Sequence, residues 1–569
     1  MTRVLMVYPR FNPNSFWDYS KTCETVGAKR PAPPLGLMTV AAMLPPSWDV
    51  QLVDCNADPL TDGDIARADL VMMGSMFPQQ HHALSLIGRF HALGKLVVVG
   101  GPDVTSSPDM YAAADFRVIG EAEGIFHEFL AAWERGERSG TFTAEKFKAD
   151  VTTSPVPRFD LIRTRDYTHL SVQFSRGCPF TCEFCDIIEL YGRVPRTKTA
   201  PQVLAELDAL LATGYRGHVD FVDDNLIGNK KALRAFLPHL IDWQKRNGYP
   251  FEFSTEASIN LADDPEVLAS LREANFFLVF VGIESPDPET LRLMQKKQNT
   301  RRSIPESIAA LHRAGLMVVG GFIVGFDSET EGVSEGIVTL IEESNIPVAT
   351  VGLLFALPNT QLTRRLEREG RLHPGKGLDL KGELGDQCTA GLNFDTLRPR
   401  GDVLADYHAV IERVYTPAAF FGRMRRVGLA LDIRGPGARL DWRILLRRDL
   451  WRFLRLLGAF LRGPADVRRE FLRTVATVAR RNPAALKVVF SVAALYLHLG
   501  PFSRYVLGSI GEQIAEVRSG RWRPLLSDGP SDESLADDAL TDDPLADVPL
   551  AARSGALVPG TLAPAVPAE

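Results

Sequence analysis

Cysteine is scarce in this chain: there are six in 569 residues. Cys23, Cys55 and Cys388 are scattered, which gives no disulfide framework and fits reduced, cytoplasmic conditions. Net charge is scarce as well. The 64 Lys and Arg against 70 Asp and Glu leave -6, too little to indicate a nucleic-acid partner. The opening Met1-Thr2-Arg3-Val4-Leu5-Met6-Val7-Tyr8-Pro9 reads as a strand ending at a proline and lacks the apolar core of a signal peptide, so export is not expected. The most apolar stretch, Ala484 to Leu499, is short of the ~20 residues that span a bilayer and carries Lys487, which makes it a buried or interfacial helix. No G-x-G-x-x-G follows the first strand, and a dinucleotide is disfavoured. What the chain does have is length and a 45% hydrophobic content, enough for about two to four domains with real cores.

The remaining three cysteines fall together in Ser175-Arg176-Gly177-Cys178-Pro179-Phe180-Thr181-Cys182-Glu183-Phe184-Cys185-Asp186, at C-x3-C-x2-C spacing. Thiolates are the preferred ligands of iron–sulfur clusters, and three on one loop can hold a [4Fe-4S] cluster while leaving its fourth iron without a cysteine. Such an open iron separates a catalytic cluster from one that only carries electrons. Zinc would want a fourth Cys or His at finger-like spacing, and none is nearby. Gly177 and Pro179 suit a tight irregular loop, and His169 to Phe174 before it alternates like a strand.

Residues 1–150 carry short apolar runs with helical stretches between them: Val4 to Tyr8, Val50 to Val53, Leu70 to Gly74, Leu96 to Gly101 and Phe116 to Gly120. Fully apolar strands alternating with helices indicate a doubly wound parallel sheet covered on both faces. Several end in small residues, Gly74-Ser75, Gly100-Gly101-Pro102 and Gly120-Glu121, where such folds bind ligands, although glycines also simply punctuate strand ends. After Ser154-Pro155-Val156-Pro157, six further strands are expected at Val172 to Phe174, His218 to Val222, Glu252 to Glu256, Phe277 to Ile283, Val318 to Val324 and Ala349 to Phe355. Six strand–helix units over 151–370 suggest a partial (β/α)6 barrel with its chemistry at the carboxyl ends of the strands.

Cys178, Cys182 and Cys185, with the aromatic Phe184 before the last, resemble the signature of the radical S-adenosylmethionine (SAM) superfamily. The resemblance implies that SAM chelates the open iron and is cleaved, on receipt of an electron, to a 5'-deoxyadenosyl radical, with an external donor such as flavodoxin or ferredoxin. It also implies that strand ends hold SAM: Asp224, Glu256 and Glu284 are candidate contacts, with Gly321 and Gly325 on the adenine side. Each of the three acids could equally be a helix cap or salt-bridge partner. Arg193, Arg196 and Lys198 form a short basic cluster left unassigned between an anion site and a solvated loop.

Residues 1–150, directly before this motif, look like the cobalamin-binding domain of the cobalamin-dependent radical SAM class, on Pro33-Pro34-Leu35-Gly36-Leu37, Val53-Asp54, Gly100-Gly101-Pro102 and Gly120-Glu121-Ala122-Glu123. The resemblance makes Gly74, Ser75, Gly100, Gly101, Gly120 and Glu121 candidate cobalamin contacts. A D-x-H-x-x-G signature is missing, so no histidine is expected below the cobalt; His81 and His82 read rather as ordinary residues at a helix start than as cobalt neighbours.

Residues 371–526 are expected to form a mostly helical domain and 527–569, with nine acids and one arginine, a disordered acidic tail. From Asp441 to Arg523 there are sixteen Lys or Arg against six acids. Leu450, Phe453, Leu454, Leu457 and Leu461 fall at helical spacing, with Arg448, Arg452, Arg455 and Arg462 elsewhere on the wheel. Two readings stand side by side: helices packed on the barrel, or peripheral contact with the inner face of a membrane. The pattern Cys185-Asp186-Ile187, Tyr191-Gly192-Arg193 and Phe221-Val222-Asp223-Asp224-Asn225 is similar to a subgroup that includes the hopanoid C-2 methylases. The implied activity is methylation of an unactivated carbon, of a small-molecule substrate that the apolar, basic C-terminus hints is a lipid or terpenoid; the alternatives are a cobalamin-dependent radical cyclase or rearrangement enzyme without net methyl transfer, a methylthiotransferase lacking its further cluster cysteines, and a non-catalytic cobalamin sensor.

Overall fold

The structure, a computed structural model, describes residues 2–523 except 13, 17, 374–378, 381–382, 385–386 and 434–449. The expected acidic tail, 527–569, lies outside the described residues.

The first sheet contains β1 (Arg3–Tyr8), β2 (Asp49–Asp54), β3 (Leu70–Gly74), β4 (Leu96–Gly100), β5 (Phe116–Ile119) and β6 (Gly140–Thr143) in the order β2-β1-β3-β4-β5-β6. Every pair is parallel. The unbroken apolar character of β1 has a direct cause: Leu5 and Val7 enter one core, with Val71, Val97 and Phe90, while Val4 and Met6 enter the other, with Met72, Phe116 and Phe129. Between β1 and β3 the chain order reverses, which opens a crevice beyond their carboxyl ends. β6 is an edge strand that the sequence pattern did not disclose, because it is only four residues long and half exposed.

The second sheet is built from β7 (Leu170–Val172), β10 (Gly217–Phe221), β11 (Phe251–Glu256), β12 (Phe276–Glu284), β13 (Met317–Val324) and β14 (Val348–Leu353), all parallel, in the order β14-β13-β12-β11-β10-β7. These are the six expected strands of the partial barrel. The short antiparallel pair β8 (Ser175–Arg176) and β9 (Arg196–Thr197) brackets the cysteine loop. Local signals start the outer helices: Thr199 and Gln202 make a capping box for Ala200–Ala212, and Asn229 caps Lys230–Arg246.

The C-terminal helices pack on the barrel. Tyr407 and Tyr415 donate from their hydroxyls to the carbonyls of Val351 and Ala349 on β14. Arg423 is fully buried and donates to the carbonyls of Ile346 and Val414, both at 2.7 Å, with Glu342 as its ionic partner. Beyond, Leu450–Arg462 and Ala465–Arg481 meet through Phe460 stacked on Phe471 at 4.0 Å, with Phe421 edge-on to both. The apolar stretch Pro483–Arg518 is long enough to cross a bilayer by composition, yet it behaves as a core helix: Tyr496 donates to the Tyr415 carbonyl, and Phe502 lies edge-on to Phe16. Replacing Phe460 with Ala removes the stack at the centre of this layer and is expected to cost about 3–5 kcal/mol. Thermal unfolding checks this by a lowered Tm, with earlier proteolysis after residue 450.

Candidate functional site

The cysteine loop hangs from the end of β10. Asp223 accepts from the backbone N–H groups of Phe174 and Ser175 and from the Ser175 hydroxyl, and Asp224 accepts from Gly177 N–H at 2.5 Å. Gly177 has φ +97°, and a Cβ there would lie 3.0 Å from the Gly192 carbonyl oxygen, so only glycine fits. Cys178 N–H donates to that same carbonyl, Glu183 N–H to Met294 O, and Leu362 N–H to Glu183 O, which ties the loop down on three sides.

Burial pushes all three thiols above their ordinary pKa; neighbouring thiolates add to the rise at Cys178 and Cys185, whereas at Cys182 Lys296 opposes it. Among the described residues no three His, Cys, Asp or Glu are gathered to hold a single metal ion. Three thiolate ligands on one short loop suit an iron–sulfur cluster. Amide donors are in place for its sulfurs: Asn225 Nδ2 lies 3.9 Å from Cys178 Sγ, and Gln298 Nε2 lies 3.8 Å from Cys182 Sγ. Lys296 is buried beside Cys182, 5.7 Å from the centre of the Phe184 ring, and is ion-paired with Glu284.

Asp224, Glu256 and Glu284 stand at the carboxyl ends of β10, β11 and β12. Burial, aided by the neighbouring Asp223, pushes Asp224 up to about 8, and its Oδ1 is buried with no hydrogen-bond partner among the described residues. A carboxyl in that state is suited to a cationic ligand, as the ammonium of SAM is. Glu284 has φ +69° and faces Lys296, and Gly282 leaves room for the pair, since a Cβ there would meet both head groups. The two adenine-side glycines also answer to packing. A Cβ on Gly321 would lie 2.8 Å from the Phe280 ring; Gly325, at φ +116°, would meet Leu392 at 2.5 Å. Phe184 lies edge-on to Phe326 at 5.9 Å.

On the first sheet, Ser75 follows β3 and shares a hydrogen bond with the Tyr111 hydroxyl at 2.9 Å; Tyr111 donates to Asp103, as does the Gln80 amide. Burial raises Asp103 to about 6. Gly101 has φ +101° and starts the helix Pro102–Ser106. Gly120, at φ +92° with Ala144 2.9 Å from a Cβ, is required by the fold whatever binds above it; Gly74 lies tight against Leu37, and Gly100 has ordinary room for a Cβ beside Val118. The loop after β1 buries Ser15 Oγ and Asn14 Oδ1 without a protein partner among the described residues, at the crevice where a ligand of this sheet binds. His82 Nδ1 accepts from Arg10 N–H at 2.8 Å and burial holds its pKa near 4, so it is a neutral brace at a helix start; His81 is exposed.

Glu121 is directed at the cysteine loop. Arg176, two residues before Cys178 and 2% exposed, lies 3.2 Å from Glu121 and 2.7 Å from Glu123, and its Nε donates to Gln173. Arg196 reaches the other Glu121 oxygen at 2.7 Å. Burial opposes ionisation of Glu123, but Arg176 outweighs it and holds the carboxyl near 2. Of the basic cluster, Arg196 is thus a domain clamp, Lys198 is buried against Glu206, and Arg193 is exposed.

Family models match in three successive regions: the B12 binding domain over 25–130, the Radical SAM superfamily over 172–341, and a domain of unknown function, DUF4070, over 360–512. An uncharacterized methyltransferase of Synechocystis is 41% identical over 519 residues, covering 91% of this chain and 95% of the relative. The hopanoid C-2 methylase of Rhodopseudomonas palustris is 39% identical over 427 residues, covering 74% and 78%. The chain belongs to the cobalamin-dependent radical SAM enzymes. Solved structures of such enzymes share its fold: the methyltransferase TsrM from Kitasatospora setae with cobalamin and a [4Fe-4S] cluster bound (TM-score 0.55, 17% identity, 80% of this chain and 99% of that one), and OxsB with aqua-cobalamin and SAM bound (TM-score 0.55, 14% identity, 92% and 82%).

In this radical SAM enzyme the sequence motif marked the cysteine loop but not its surroundings. Asn225, Lys296 and Gln298 lie outside the cysteine motif, and only the fold brings them to the thiols. The partners of Arg176 sit 55 and 53 residues away on the other sheet. Arg176→Gln leaves the buried Glu123 without its cation, Glu121 keeping Arg196, and is expected to lower stability by about 3–5 kcal/mol. Adding Glu123→Gln should recover part of that loss, and a double-mutant cycle in urea reads the coupling.

Proposed function

We propose that the chain is a radical C-methyltransferase acting on an unactivated carbon of an apolar, terpenoid-like lipid. The observation that carries the reading is the joining of the two cofactor regions: the cysteine loop of one sheet is clamped by Arg176 and Arg196 to the strand end of the other. When bound, the cluster with SAM supplies a hydrogen-abstracting radical, and cobalamin supplies a methyl group.

The chain's own part is to hold and to exclude. Asp223 and Asp224 fix the loop, the Asp224 carboxyl receives a cation, and Asn225 and Gln298 steady two sulfurs. Water is kept out by aromatic rings. Phe77, after β3, lies 5.5 Å from Phe355, just past β14, and Phe184 lies against Phe326. Rings of this kind suit a hydrocarbon skeleton. The methyltransferase relatives, one of them a hopanoid C-2 methylase, support the same reading. Electrons come from an external donor of the flavodoxin or ferredoxin kind, and the enzyme works in the cytoplasm, reaching its substrate at a membrane face.

Anaerobic turnover with reconstituted cluster, cobalamin, SAM, reductant and a panel of polycyclic lipids tests this. S-adenosylhomocysteine and 5'-deoxyadenosine rising together with a methylated lipid is the expected result; deoxyadenosine with a rearranged, unmethylated product would overturn methylation in favour of a cyclase-type reaction. Cys178→Ala, Cys182→Ala and Cys185→Ala combined should remove iron–sulfur absorbance and turnover while leaving far-UV circular dichroism unchanged.

A further inference from the structure

We infer that the helix pair Leu450–Arg462 and Ala465–Arg481 is a membrane-docking face for an anionic bilayer surface. This inference rests on the lipid-substrate reading for its purpose, though not for its physical basis. On the first helix Leu456 and Phe460 turn inward, and Phe453 meets Phe490 at 4.7 Å. Trp451, Leu454 and Leu461 share the opposite side of the wheel and are exposed, Trp451 at 71%. On the second helix Phe471, Thr474 and Val478 are buried, whereas Leu472 stands out in solvent.

The charge around these apolar side chains has one sign. Arg452, Arg455, Arg462, Arg468, Arg469, Arg473, Arg480 and Arg481 are all exposed. Of the two carboxylates on the same pair of helices, Glu470 is buried and held by Arg425 at 2.9 Å, which leaves Asp466 alone at the surface. A soluble face needs no such crowding of large apolar side chains, and a protein core would not surround them with eight exposed guanidinium groups, of which Arg469 and Arg473 lie 3.6 and 4.0 Å from the buried Glu470. Aromatic and leucine side chains ringed by arginine match the boundary between acyl chains and anionic head groups. The face also adjoins the site: Arg455 donates to the Glu24 carbonyl at 2.8 Å, on the helix Ser20–Val26 that follows the loop after β1. A lipid leaving the bilayer there meets the crevice of the first sheet.

Flotation of the full-length, cofactor-loaded protein with vesicles of phosphatidylcholine alone, or with 30% phosphatidylglycerol, tests the proposal. Binding is expected to the anionic vesicles only. Arg469→Gln with Arg473→Gln should weaken it by about tenfold or more, and so should Trp451→Ser with Leu454→Ser. Both variants should keep wild-type melting temperatures and cofactor spectra. Wild-type protein that stays unbound on anionic vesicles, or binds them as well after both pairs of substitutions, overturns the proposal. So does a dimer in sedimentation velocity that the Trp451 and Leu454 substitutions dissociate, because a second copy would then cover the face. Vesicle binding is read without turnover: protein that docks but methylates no lipid contradicts the proposed reaction and leaves the docking face standing.

Discussion

A buried guanidinium stands at the join between the two halves of this enzyme. Arg176 is almost without solvent contact, and taking its charge out of water would be prohibitive without the two carboxylates of Gly120-Glu121-Ala122-Glu123. Such a group gains little net stability over an apolar replacement; what it gives is geometry, since only one docking of the two sheets satisfies it. The cysteines begin two residues later. The position of the cluster loop relative to the strand ends of the first sheet is therefore set by the same contact that joins the domains, and Arg196 on Glu121 secures it from the far side of the loop.

Within the barrel the design repeats on a smaller scale. Carboxylates at strand ends either hold backbone N–H groups, as Asp223 does, or stand beside a cation or a place for one, as Glu284 and Asp224 do. Burial raises Asp223 to about 7 and Asp224 to about 8, so the site without a cationic ligand holds carboxyl groups near their protonated form.

Much of this was legible in the sequence, for reasons that can be named. Strands such as β1, β3, β4 and β13 stand out because they are buried on two faces and nearly every residue is apolar, and β6 escaped because it is exposed on one side. The cysteine motif is specific because ligand spacing is fixed by the cluster it wraps. Contacts across domains left no such mark: nothing near Arg176 announces Glu121, and nothing near Lys296 announces Cys182. The strand-end glycines illustrate the opposite case, since Gly120 and Gly325 are demanded by Ala144 and Leu392 as well as by any ligand. At the C-terminus the basic amphipathic pattern had two explanations, and the structure shows one face of it packed and the other bare.

The Arg176 clamp should hold the cluster and the cobalamin at one fixed separation. Pulsed electron paramagnetic resonance on protein loaded with reduced cluster and cob(II)alamin measures that separation directly. A single narrow distance distribution that broadens in Arg176→Gln is what this account predicts. A distribution already broad in the wild type, or one indifferent to the loss of Arg176, would contradict it.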